Sequence, residues 1–142
     1  MIITLLLITA CSNTLKYDEG KDSILSFGDG TYQIIHQQYN SENLKLLTNC
    51  KHNQCVLTQI DYYTTEEDFA YFVGNYYSKN VYCKLNILTN ELLYFADEND
   101  EEFVMVYLND MLSDGQIKLL SSFDDYSETD KIKFAEMKNT ND

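Results

Sequence analysis

Proline and arginine are absent from the 142 residues, histidine occurs twice and glycine five times. Without proline there is no stiff Pro-rich linker to part the chain, and no internal repeat or low-complexity segment divides it either. All ten basic residues are lysines against 23 acidic ones, a formal net charge of -13. A chain lacking the planar guanidinium fork and carrying that much negative charge grips phosphate poorly and repels a polyanion, which argues against a nucleic-acid partner. The same charge keeps a domain soluble and fits a basic protein partner. No Gly-rich phosphate loop, His-Glu-x-x-His or Gly-x-Ser-x-Gly pattern is present, and the sequence calls for no cofactor. With His36 and His52 the only histidines, a Cys-His nucleophile has little to draw on.

Hydrophobic residues make up 44% and aromatic residues 13%, with twelve Tyr and seven Phe, far more than a disordered chain carries. The length suits one domain with one modest core. At the front, residues 1–10 form an apolar run about half the length needed to span a bilayer as a helix. It gives way abruptly to the polar Cys11-Ser12-Asn13-Thr14 and a charged stretch to Asp22. A buried first strand over residues 2–8 is the alternative reading, but a strand would more often alternate apolar with polar residues.

The run Leu5-Leu6-Leu7-Ile8-Thr9-Ala10-Cys11 resembles the signal peptide and lipobox of bacterial lipoproteins, in which an aliphatic residue and two small residues precede an invariant Cys. The basic residue usual near the start of such signals is missing from Met1-Ile2-Ile3-Thr4. The resemblance covers the first eleven residues. It implies cleavage before Cys11, a diacylglyceryl group on its sulfur and an acyl chain such as palmitate on the new amino terminus. Two or more chains give stable attachment to a membrane. The expected organisation is a signal peptide over 1–10, a lipidated flexible tether over 11–23 and a single globular domain over 24–142. The expected location is the cell membrane or outer membrane, facing the periplasm or the extracellular side.

Within the domain, Gly28-Asp29-Gly30 reads as a turn into a strand over 32–36, with further strands over 44–48, 56–60, 69–73, 81–87 and 92–95. In the 81–87 run Val81, Cys83, Leu85 and Ile87 fall on one face. Acidic residues from Asp100 open a helix carrying Phe103, Val106, Tyr107 and Met111, with Gly115 beyond its end. Residues 116–120 suit one more short strand. Ser127 is the natural N-cap of a last helix whose apolar members are Ile132, Phe134 and Met137. The expected class is α+β: an antiparallel meander of about five to seven strands followed by two C-terminal helices.

Four features invite chemistry. Cys50-Lys51-His52-Asn53-Gln54-Cys55 joins two strands, and in an exported protein Cys50 and Cys55 most simply close a disulfide across the hairpin. The alternative is a zinc site from Cys50, His52, Cys55 and Cys83, although Cys83 stands alone on an alternating strand, where a buried thiol fits better. In the acidic run from Asp97 to Glu102, Asp97, Asn99 and Glu101 alternate as calcium ligands do, but Glu102 stands where such a loop needs Gly. Tyrosines crowd the meander, and Tyr76-Tyr77, falling in a turn, offers flat apolar area with polar tips for binding. Cross-strand aromatic pairing is the plainer account of the others.

The sequence therefore points to a non-enzymatic, lipid-anchored envelope protein whose acidic domain binds a protein or ligand. An immunity-type inhibitor of a toxin, small and acidic, is the alternative, and an envelope hydrolase using an unrecognised carboxylate pair is a third.

Overall fold

The computed structural model describes residues 17–97 and 101–140, apart from the side chains of 101–105, 107 and 140. Among the described residues nine strands form two sheets. The first has the order β1 (Ser23–Phe27), β2 (Tyr32–Tyr39), β3 (Glu42–Asn49) and β4 (Gln54–Leu57), all antiparallel. The second has β5 (Gln59–Glu66), β6 (Phe69–Tyr76), β7 (Lys79–Asn86) and β8 (Leu92–Ala96), with β9 (Ile117–Leu119) parallel to β8. Helix α1 (Glu101–Ser113) connects β8 to β9, and α2 (Glu128–Thr140) follows a 3-10 turn at Phe123–Asp125. This is the α+β meander with two late helices that the residue pattern predicts, with more strands than expected.

Side-chain alternation decides the layering. On β6 and β7, Ala70, Phe72, Tyr76, Val81, Cys83 and Leu85 face the first sheet, where Tyr32, Ile34, Leu47 and Leu57 meet them in the main core. The intervening Tyr71, Val73 and Tyr82 face the other way, against Tyr126, Phe134 and Met137 of the α2 segment. The second sheet is thus buried on both faces, which is why β6 and β8 read as continuous apolar runs. Helix α1 adds Leu108 and Met111 to the main core.

Two helical expectations need correcting. Val106 is 69% exposed, because the inward face of α1 is set by Leu108 and Met111 across a kink at Leu108. Ile132 is 57% exposed, because α2 buries Asp130, Phe134 and Met137, one turn apart, and Ile132 falls off that line. The cap is as expected: Ser127 Oγ accepts from the Asp130 amide at 3.1 Å.

Residues assigned to the end of the tether belong to the folded unit. The Tyr17 amide donates to Asp29 O at 2.9 Å. The buried Gln33 side chain donates to Tyr17 O and Asp18 O at 3.3 and 3.2 Å. The two sheets are stitched beside this point, where the Asn90 amide donates to both Asp29 carboxylate oxygens at 3.2 Å.

At Gly74 the backbone of β5 comes too close to β6 for a side chain. A Cβ there would stand 2.1 Å from Gln59 O, at the register shift between Ile60 and Tyr62 where β5 crosses β6. Gly74→Ala is expected to destabilise the domain by about 2 kcal/mol, since backbone must move to make room. Urea denaturation checks this, and an unchanged midpoint would show that β5 is free to shift.

Candidate functional site

A cleft of about 430 Å³ opens between α2 and the outer face of the second sheet. Its floor follows from strand register. Tyr71 on β6 pairs with Lys84 on β7, and since Cys83 and Leu85 point into the main core, Lys84 must point out with Tyr71. The first turn of α2 brings Asp130 down onto them. Lys84 Nζ stands 2.9 Å from Asp130 Oδ1 and donates to Oδ2 at 3.0 Å, while the Tyr71 hydroxyl donates to Oδ1 at 2.9 Å. The Asp130 side chain is 5% exposed and that of Lys84 17%.

Charges held this far from water persist only when paired and hydrogen-bonded, as these are. The Lys84 ammonium also lies 4.2 Å from the Phe69 ring centroid, where the ring's negative face attracts it. Burial, then the hydrogen bond to Asp130, pushes the Tyr71 phenol well above its ordinary 10.0. The phenol is therefore a neutral donor at physiological pH. Both Asp130 oxygens are occupied within the fold, so the trio forms a charged latch between α2 and the sheet.

The rim is acidic. Glu66, Glu67 and Glu136 line it with Lys133, and Lys133 Nζ lies 2.6 Å from Glu66 Oε2 across the mouth. That hydrogen bond raises the Lys133 pKa. Counting Lys84 and Asp130, four carboxylates and two ammonium groups line the opening, which leaves it net negative.

The residues singled out in the sequence do not converge on this cleft. Cys11 lies outside the described residues, as do Asn99 and the side chain of Glu101, the middle and last members of the calcium pattern. Cys50, Cys55 and Cys83 are free thiols, so the expected hairpin bridge is not formed. The register explains this: Cys55 sits opposite Thr48 and Gln54 opposite Asn49, which leaves Cys50 diagonal to Cys55 rather than across from it. Desolvation raises the pKa of Cys50, and that of Cys55 to about 11 although it donates to Leu57 O at 3.1 Å, so neither is an activated thiolate.

The zinc set does not assemble. Cys83 is wholly buried in the main core, and His52 Nε2 stands 3.1 Å from Asp114 Oδ2 beyond the end of α1. Among the described residues, no three His, Cys, Asp or Glu side chains are grouped to hold a metal. His36 is exposed on β2.

Tyr76 is 2% exposed and belongs to the core, so it is not part of a binding face. Tyr77 is 58% exposed beyond the end of β6, with its ring against that of Tyr76 at 4.8 Å. Sequence reading missed the Tyr71, Lys84 and Asp130 group. The one available signal was a lysine within the otherwise apolar run from Val81 to Leu85. No protein-family model, curated protein or solved structure matches the chain.

Proposed function

We propose that this protein is a lipid-anchored component of the bacterial cell envelope, non-enzymatic, whose small acidic domain binds a basic protein partner. The observation that carries the anchor is the apolar run closing on Ile8-Thr9-Ala10-Cys11 immediately before a polar stretch. Among the described residues no helix is long and apolar enough to cross a membrane, which is compatible with attachment through lipid. The binding role draws support from the net charge of -13 and from the net negative cleft beside α2. Carboxylates on a rim raise the encounter rate with a cationic surface and select against acidic competitors. The internal use of Asp130, Lys84 and Tyr71 supports binding over hydrolysis at the same cleft.

The anchor is tested by fractionation. The native protein is expected to stay with membranes through a high-salt wash and to leave them in detergent, and Cys11→Ser is expected to appear in the soluble fraction. Equal partitioning of the two would refute the anchor.

A further inference from the structure

We infer that the end of the domain carrying the β1–β2 and β7–β8 turns faces the bilayer, with Leu88 at the lipid headgroups, while Tyr77 points away from it. The inference rests on the lipid anchor at Cys11 proposed above, and the rest is geometry. Tyr17 is fixed to the β1–β2 turn through its amide bond to Asp29 O, and Gln33 holds its carbonyl. From Cys11 to Tyr17 there are six Cα steps, which span at most about 20 Å in any conformation.

The same Asp29 binds Asn90 through its carboxylate, which places the β7–β8 turn beside the attachment point. Leu88 lies in that turn and is 73% exposed, the most exposed large apolar side chain among the described residues. Tyr77 lies beyond the opposite end of β7, an eight-residue strand, which measures about 26 Å. A tether of about 20 Å fixed at the Leu88 end cannot place the Tyr77 end against the bilayer with the Leu88 end raised above it. An apolar side chain at the near end gains by entering the interface. Asp18, next to Tyr17, and Asp68, whose carbonyl accepts from the Ile87 amide at the same turn, oppose anionic lipid, so the approach is shallow and favours a neutral surface.

The chain has no tryptophan, so a single introduced one reports its own position. Leu88→Trp, Thr89→Trp and Tyr77→Trp are prepared as full-length protein, extracted from membranes, checked by intact mass and reconstituted into phosphatidylcholine vesicles containing a headgroup-nitroxide lipid. Quenching at position 88 or 89 is expected to exceed that at position 77 by about fivefold, because the two ends differ in height by most of a strand length. Lipidated protein with equal quenching at both ends, or stronger quenching at position 77, overturns the orientation and leaves the anchor standing. Unmodified protein that does not bind the vesicles overturns both. Thr89→Trp keeps the test decisive if Leu88→Trp disturbs the turn.

Discussion

Raising the pH from about 9 to about 12 is expected to unfold the domain steeply, through tyrosine rather than lysine. Tyr32, Tyr94 and Tyr126 are almost wholly buried, and burial is the chief cause that lifts each phenol well above its ordinary 10.0. Below about pH 10 the folded and unfolded chains both hold these protons, and stability is unaffected. Above it the unfolded chain releases them while the folded chain keeps them, so stability falls by about 1.4 kcal/mol per pH unit for each phenol. Three together remove about 4 kcal/mol per unit, enough to exhaust an ordinary domain's stability within two or three units. The loss is complete as pH passes through the raised folded values. Cys55, raised by burial to about 11 from 9.0, starts the decline slightly earlier.

Urea melts by circular dichroism across this range measure the slope. Tyr126→Phe gives the control. It forfeits hydrogen bonds to Tyr82 O at 2.6 Å and Leu93 O at 3.2 Å, and so lowers stability at neutral pH by about 1–2 kcal/mol. Above about pH 10 it is expected to reduce the slope by about 1.4 kcal/mol per pH unit, the share of one phenol. Stability that stays level beyond about pH 11 would contradict the burial of these phenols.

Asp130→Ala is expected to destabilise the domain by about 3–5 kcal/mol, more than an exposed ion pair could account for. The substitution leaves the Lys84 ammonium, with its side chain only 17% exposed, facing Phe69 and Tyr71 with no counter-charge. The desolvation penalty of that charge then stands uncompensated. Lys84→Met with Asp130→Leu is expected to recover most of the loss, because an apolar pair of similar size has no charge to desolvate. Thermal melts of Lys84→Met, Asp130→Leu and the double mutant, beside the unsubstituted protein, form a complete cycle. Additive losses would mean that the two side chains act independently and that α2 is held by its aromatic contacts alone.

The strand pattern was legible because it is local. Val81, Cys83, Leu85 and Lys84 alternate in the sequence as they do in space, and Ser127 caps α2 as its position before two acidic residues suggests. The strand expected over 56–60 divides at Thr58 into the end of β4 and the start of β5, which lie in different sheets, and β1 has no counterpart among the expected strands. β5 is mostly polar, with Gln59, Asp61, Thr64, Thr65 and Glu66 among its residues, and β1 is short and interrupted by a register shift after Ser23. The hairpin between Asn49 and Gln54 falls where the pattern puts it, but placing Cys50 opposite Cys55 needs a register two residues away from the observed one, which spacing does not fix. The charged latch is a tertiary object: Asp130 lies 46 positions from Lys84 and 59 from Tyr71. No window of sequence contains it, and each member taken singly looks like an ordinary surface residue or a cap neighbour.

The anchor at Cys11 carries the account, since location and orientation both depend on it. Intact mass spectrometry of protein extracted from membranes tests it most directly. The predicted species begins at Cys11, lacks residues 1–10 and carries a diacylglyceryl group on sulfur together with an amino-terminal acyl chain. A species that retains Met1, with Cys11 unmodified, would contradict it.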